Sequence, residues 1–283
     1  MKKHALTVFA IFMSALAQGE GVSEKIFYGI NDSEVSMSMW SDNFRSWTYI
    51  EHRRGSEIFP IYMLSPRATV PAFVVDTASG QSSAGNKFLA VQRTELGELT
   101  NEKGDIETTE KTYCDIVDIS TGCVLLNKPA EYCSGSWVGD KWQRDNGDLM
   151  TIELETPSPE KITKSLSGLE GTNRAGMIRE YMYMGVESYL ACYPPKAKVQ
   201  VFNDLVFFLA EGGDNYNAMK LYRELEKISP SRVVLKLNIA DALWVDGKRS
   251  EAREYYSSYK SLMESSGREK LVPKRVRDRL EGN

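Results

Sequence analysis

Short runs of alternating and β-branched residues dominate the chain from about residue 23 to residue 154. The segment EVSMSMW (Glu34–Trp40) places apolar side chains at every second position, and LMTIELET (Leu149–Thr156) does the same. Such runs, separated by clusters of Gly, Asn, Ser and Pro, are typical of strands in a sandwich or barrel. We therefore predict a β-rich domain over residues 18–156, with an acidic hairpin or loop near residues 94–111.

Helical periodicity replaces this alternation beyond Pro157 and Pro159, two prolines that disfavour both a helix interior and a central strand. The pattern predicts one helix over Gly176–Tyr193, which ends before a pair of prolines. It continues as further helices toward the end of the chain. The predicted fold class is α+β, with an α-helical domain over residues 157–283.

The helical half contains an internal repeat, because glycine, alanine and tyrosine return at a constant offset of 34 residues. The matching positions are Gly213 and Gly247, Ala218 and Ala252, and Tyr222 and Tyr256. A fixed period of this size indicates a helix hairpin stacked on a copy of itself. The small alanines let two helices approach closely, and the glycines suit the turns between them.

These positions resemble the tetratricopeptide repeat (TPR), with one repeat at 199–232, a second at 233–266 and a capping helix over 272–281. The departures are Val206, Lys236 and Glu264, at positions where that family usually has a small, an aromatic and a proline residue. Two repeats are too few to bury a continuous core. We therefore expect the β-rich domain or the helix before the repeats to dock against them.

The resemblance also implies a groove, because the first helices of such repeats hold a partner peptide or a neighbouring domain. The groove positions would be Asn203, Phe207, Ala210, Leu237, Asp241 and Trp244. We select Asn203, Phe207, Asp241 and Trp244 as candidate partner-binding residues, since aromatic anchors in a rigid pocket carry much of the energy of protein binding. Packing of both aromatics inside the protein is the alternative.

The N-terminus predicts export. Lys2 and Lys3 precede an apolar run that closes on Ala15-Leu16-Ala17, as in a signal peptide. We expect a signal peptide over residues 1–17, cleavage near Ala17, a periplasmic location and no stable membrane insertion afterwards. An N-terminal anchor helix is the alternative.

An exported chain changes what its cysteines indicate. Cys114, Cys123, Cys133 and Cys192 are an even number in an oxidising compartment, where disulfides persist. Three pairings are available, and the sequence alone does not select one. We favour Cys123 with Cys133 across the KPAEY turn. Zinc is the competing use, but the CxxC spacing is absent and the region has no histidine.

Composition and candidate chemistry narrow the functional classes. A net charge of −4 and a pI near 5.5 offer no basic footprint for nucleic acid. His52 is the one histidine beyond the leader, and no nucleophile is placed against it. We predict no catalytic residue, metal or cofactor.

The favoured hypothesis is a periplasmic, non-enzymatic protein that binds another protein or peptide. Its specific form is an immunity-type inhibitor of a toxin that acts on the cell envelope. The alternatives are a scaffold or accessory factor of an envelope complex, and a carboxylate-dependent cell-wall enzyme.

Overall fold

A computed structural model describes residues 24–62, 73–76, 81–100 and 103–282. The predicted signal peptide and its cleavage point lie outside these residues. Strands occupy the first part of the described chain and helices the second, so the α+β prediction is confirmed. In the described part, no helix is long and apolar enough to cross a membrane.

Twelve strands are defined within the described residues. They are β1 (Glu24–Tyr28), β2 (Ser33–Ser41), β3 (Ser46–Arg54), β4 (Glu57–Pro60), β5 (Phe73–Asp76), β6 (Gln81–Ser82), β7 (Phe88–Thr100), β8 (Ile106–Asp118), β9 (Val124–Pro129), β10 (Gly135–Val138), β11 (Lys141–Arg144) and β12 (Leu149–Met150). A short 3₁₀ turn at Ala130–Cys133 separates β9 from β10.

The helices begin soon after the last strand. They are α1 (Pro159–Ser165), α2 (Gly171–Tyr181), α3 (Val186–Cys192), α4 (Val199–Glu211), α5 (Asn215–Ile228), α6 (Val233–Val245), α7 (Arg249–Ser265) and α8 (Lys274–Glu281). Ser158 caps α1 by accepting a hydrogen bond from the Lys161 backbone, with Pro159 in the first turn.

The first nine strands form one antiparallel sheet within the described residues. Its order is β1-β2-β3-β5-β7-β8-β9, with β4 beside β3 and β6 beside β7. The last three strands form a separate small sheet. The acidic segment is the outer part of the long β7–β8 hairpin, which pairs from Phe88 with Asp118 to Thr100 with Ile106.

Alternation along β7 separates two hydrophobic clusters. Phe88 and Ala90 pack with Trp142 of the small sheet, whereas Leu89 and Val91 belong to the main core. Because successive side chains of a strand point to opposite faces, the large sheet lies between the small sheet and the helices. The protein is therefore layered around its large sheet.

The main core runs without interruption from the sheet into the helices. It includes Val35 and Ile50 of the sheet, Ile178 of α2 and Leu205 of α4. Polar contacts follow the same interface: the Ser188 hydroxyl donates to the Gly122 carbonyl at 2.5 Å. The strands and helices are docked on each other and share one hydrophobic core.

Four helices form two successive hairpins, α4 with α5 and α6 with α7. Gly213 and Gly247 lie in the two turns with φ of +85° and +77°, a conformation that favours glycine. Ala218 and Ala252 are fully buried. A small side chain at these positions lets the two helices of a hairpin approach closely, as predicted from the sequence.

Two sequence expectations need correction here, and the first is the helix over residues 176–193. It is interrupted between α2 and α3, where Gly185 adopts φ +88°. An amphipathic pattern does not reveal this break, because both halves keep buried faces. The interruption turns Tyr183 toward the sheet, where its ring contacts Arg93.

The second correction concerns the disulfides. The pairs are Cys114–Cys133 and Cys123–Cys192, so the favoured Cys123–Cys133 pairing is wrong. The antiparallel register of β8 and β9 sets Cys114 opposite Lys128, which leads directly into the turn that carries Cys133. Cys123 precedes β9 and faces α3 instead. The second disulfide therefore joins the sheet to the helices.

Candidate functional site

Asn203 holds two helix hairpins together. Its side chain is buried, and its Oδ1 accepts a hydrogen bond from Asn238 Nδ2 at 3.3 Å. This contact sets α4 beside α6. The Asn203 side chain therefore joins the two hairpins, and it is buried between them instead of facing a partner.

Phe207 lies one helical turn beyond Asn203 and is 45% exposed. Its ring touches the neighbouring Phe208 with 5.9 Å between ring centroids. Of the four selected residues, Phe207 therefore presents the largest apolar surface to solvent. Ala210 and Leu237, the other two groove positions, are partly buried against the main core.

Asp241 of α6 is the centre of a charged cluster. It accepts hydrogen bonds from Tyr256 Oη at 2.6 Å, Arg275 Nη2 at 2.8 Å and Arg279 Nη1 at 2.6 Å. Hydrogen bonding to Asp241 raises the pKa of Arg275. Burial, reinforced by Asp241, raises the pKa of the Tyr256 phenol, so this hydroxyl stays protonated and donates.

Trp244 belongs to the same cluster. The Arg249 guanidinium lies 4.1 Å and that of Arg279 4.9 Å from the Trp244 ring centroid. Cations over an indole face are attracted by its quadrupole. Asp241 and Trp244 therefore hold α8 in place, while the Asp241 side chain keeps 30% exposure and that of Arg275 keeps 47%.

We name the combined surface the first-helix face and define it by Phe207, Asp241, Trp244, Arg275 and Arg279. Residues three or four apart on a helix share a face. Phe207 follows Asn203 by four residues and Asp241 follows Asn238 by three, so both extend from the Asn203–Asn238 contact. An exposed ring and an ordered charged cluster thus come from adjacent helices.

Sequence reasoning missed the most enclosed polar cluster of the described residues. Arg93 of β7 and Asp115 of β8 are almost completely buried, with 2.7 Å from Arg93 Nε to Asp115 Oδ2. Tyr62 donates to the same oxygen at 2.8 Å, and Asn127 Nδ2 donates to Oδ1 at 2.6 Å. The signal was a lone charge in each of the apolar runs FLAVQRT and CDIV.

Three tyrosine rings surround the Arg93 guanidinium. Its Cζ lies 4.8, 4.9 and 5.0 Å from the ring centroids of Tyr62, Tyr113 and Tyr183. Burial would lower the pKa of Arg93, but the Asp115 carboxylate reverses this and raises the pKa above its usual value. Arg93 therefore stays charged and paired with Asp115, and its contact with Tyr183 positions the α2–α3 connection on the sheet. The tyrosine rings enclose the guanidinium, so a ligand does not reach it.

Neither a metal-binding cluster in the described residues nor a match to known proteins points to a further candidate site. Within the described ranges, no group of three or more His, Cys, Asp or Glu side chains is arranged to hold a metal ion. A scan against protein-family models and a search of curated proteins both find no match for the chain.

Proposed function

We propose that this chain is an exported, non-enzymatic protein that binds another protein through its first-helix face. The observation that carries the proposal is that α4 exposes the Phe207 ring while its neighbour α6 holds an ordered Asp241–Arg275–Arg279 cluster. Aromatic residues on rigid helices make favourable anchors, because they lose little conformational freedom on binding. Charges already held in place add selectivity for a complementary partner.

The helical module is proposed to act as a TPR-like unit. Two hairpins in 34-residue register and the closing helix α8 support this. Helices α1 and α2, which precede the repeats, supply the surface that two repeats lack, since both pack against α4. The module is then rigid where a partner would bind.

A periplasmic location is part of the proposal. The two disulfides are compatible with an oxidising compartment, where such bonds persist. An immunity-type inhibitor and an envelope scaffold would use the same face. Deletion of the gene separates them: sensitivity to neighbouring cells favours immunity, whereas altered cell shape or secretion favours a scaffold.

The test is chemical crosslinking and pulldown from the periplasm with the wild-type chain, Phe207→Ala/Trp244→Ala and a control. Tyr216→Ala is the matched control, because Tyr216 is exposed to a similar degree but lies on α5. We expect a discrete partner that the double variant loses and the control retains. Equal recovery of every protein by all three folded chains would contradict the proposal.

A further inference from the structure

A crevice lies between the β3–β4 hairpin and the helices. β4 forms one wall, α3 with Pro194 and Pro195 forms another, and the end of α5 completes it. Its volume is about 570 Å³, and ligand sites typically enclose about 300–1,000 Å³. This space, which we call the β4 crevice, shares no lining residue with the first-helix face.

β4 has one side without a strand partner. Among the described residues it pairs with β3 alone, from Glu57 opposite Arg54 to Pro60 opposite Glu51. Three of its four residues line the crevice, and β3 occupies its other side, so the open side of β4 borders the crevice. An open strand edge presents backbone N–H and C=O groups to which another chain can add.

The register identifies which backbone groups of β4 are free. Arg54 and Glu57 flank a two-residue turn, and such flanking residues exchange hydrogen bonds with each other. The Ile61 N–H donates to the Ile50 carbonyl at 3.0 Å, so every second pair along the hairpin is hydrogen-bonded. Ile58 falls between these pairs. Its N–H and C=O therefore point away from β3, and neither has a hydrogen-bond partner in the described ranges.

Pro60 limits the length of this free edge. It is the next residue of β4 whose backbone points away from β3, and it offers a C=O but no N–H. An added strand would gain two hydrogen bonds at Ile58 and one at Pro60. The edge therefore suits a short extended segment better than a long strand.

The walls opposite β4 suit apolar side chains. Leu190, Pro194 and Pro195 line the crevice from the α3 side, and Ile228 at the end of α5 is 37% exposed. Apolar side chains of a bound segment would gain free energy by covering this surface.

The charges around the crevice balance each other. Glu224 pairs with Lys227 at 2.6 Å, and Glu187 pairs at 3.1 Å with Lys220, which lies outside the lining. The remaining two, one cation and one anion, stand opposite each other beside the hairpin turn. The lining thus selects neither a cation nor an anion, and a segment with uncharged side chains avoids the cost of burying a charge.

We propose that the β4 crevice binds an extended, uncharged segment of a partner protein. The segment lies beside β4 and exchanges two backbone hydrogen bonds with Ile58, while its apolar side chains pack on Leu190 and Ile228. In such strand addition the main-chain hydrogen bonds supply affinity, and the pockets for alternate side chains supply selectivity.

Amide NMR of the full chain tests this directly, because a new hydrogen bond moves the Ile58 proton signal downfield. The probe is the blocked pentapeptide acetyl-Thr-Val-Leu-Val-Thr-amide. Its matched control carries N-methyl groups on the three central residues, which keeps the side chains but removes their N–H donors. We expect a saturable downfield shift with the pentapeptide and none with the control. Equal shifts with both peptides, or no shift with either, would overturn the proposal.

Two substitutions of Ile58 separate its backbone from its side chain. Ile58→Pro removes an N–H that β3 does not use, so the protein should fold, and the loss of one hydrogen bond should weaken pentapeptide binding by about fivefold. Ile58→Ala keeps the N–H and should bind within about twofold of the wild type. Equal losses in the two variants would show that the side chain carries the contact, which contradicts strand addition.

A third substitution tests the apolar wall. Ile228→Ser changes an exposed side chain, so it should keep the fold and weaken binding by about threefold. Ile106→Ser is the matched control, because Ile106 is also exposed but lies at the tip of the β7–β8 hairpin. Equal affinities of these two variants would contradict the placement of the segment.

A second copy of this chain is the competing occupant of the edge. Sedimentation of the wild type and of Ile58→Pro distinguishes it from a partner segment. We expect both chains to sediment identically. Self-association that Ile58→Pro abolishes, without binding of the pentapeptide, would assign the edge to a second copy and overturn the proposal.

Discussion

Two arginine–aspartate clusters use the same chemistry in different surroundings. Arg93 and Asp115 are enclosed by tyrosine rings between the sheet and the helices. Asp241, with Arg275 and Arg279, is bordered by Trp244 and Tyr256 but stays open to solvent on one side. The comparison shows that burial, more than residue type, decides whether such a cluster holds the fold together or also presents a surface.

The largest effect should come from unpairing the enclosed cluster. Asp115→Ala takes the buried carboxylate away from Arg93 Nε and leaves the half-exposed Glu95 as the ion-pair partner of Arg93, so we expect the free energy of unfolding to fall by about 3–5 kcal/mol. Denaturant unfolding measures it. Asp278→Ala, which removes the exposed pair of α8 with Lys274, is the matched control and should change stability by less than about 0.5 kcal/mol.

A paired replacement separates charge from packing at this cluster. Arg93→Met with Asp115→Leu removes both charges and should recover most of the stability lost by Asp115→Ala. If the double variant is no more stable than the single one, the hydrogen bonds and ring contacts of the cluster matter more than the lost charge pairing of Arg93 with Asp115.

The disulfide at the same interface should have the next largest effect. Cys123→Ala/Cys192→Ala opens a crosslink between residues 69 apart, for which chain entropy predicts a loss of about 4 kcal/mol. Cys114→Ala/Cys133→Ala opens one of 19 residues and should cost about 3 kcal/mol. Denaturant unfolding of the two double variants measures both losses of stability. A larger loss from Cys114→Ala/Cys133→Ala would show that strain in the folded state or residual structure in the unfolded chain outweighs loop length.

His52 gives the interface a dependence on pH, because it lacks the partners that Arg93 has. Its folded pKa is lowered mainly by burial, so acid protonates the unfolded chain first. We expect stability to be complete above about pH 6.5 and to fall by at most about 1.4 kcal/mol per pH unit below it. The fall should level off below the folded pKa.

Denaturant unfolding of the wild type and of His52→Gln between pH 7 and pH 5 separates the contribution of His52 from that of the carboxylates, which both chains share. The difference between their stabilities should change with pH in that window. Parallel curves would contradict a neutral, buried imidazole.

The open cluster should contribute least to global stability. Asp241→Ala exposes its arginine partners to water, so the unfolding free energy should fall by only about 1 kcal/mol. Because Asp241 anchors α8, hydrogen exchange should accelerate in residues 274–281 and stay unchanged in α4. Loss of protection throughout the protein would mean that the cluster supports the whole fold.

The sequence predicted regular elements better than it predicted contacts between them. Alternation located β2, and the 34-residue period located both hairpins, since each pattern follows directly from burying one face. Met39 shows the limit: it fits the alternation of β2, yet inside that strand its backbone has a φ of +57° and its side chain is exposed.

Pairings between distant segments were beyond these patterns. Cys192 meets Cys123 only because α3 docks on the β8–β9 turn, which the sequence does not show, and the short loop between Cys123 and Cys133 favoured the wrong pairing. Asp241 was selected from one helix, but its arginine partners come from α8. Side-chain clusters assembled from separate elements need the tertiary structure.

The central claim is that the first-helix face binds a protein, and site-specific photo-crosslinking tests it most directly. A photoreactive residue replaces Phe207 in one chain and Tyr216 in another, each expressed in the producing cells. The account predicts a discrete adduct from position 207 that Asp241→Ala diminishes, and no corresponding adduct from position 216. The same adducts from both positions, or none from position 207 in a folded and exported chain, would contradict it.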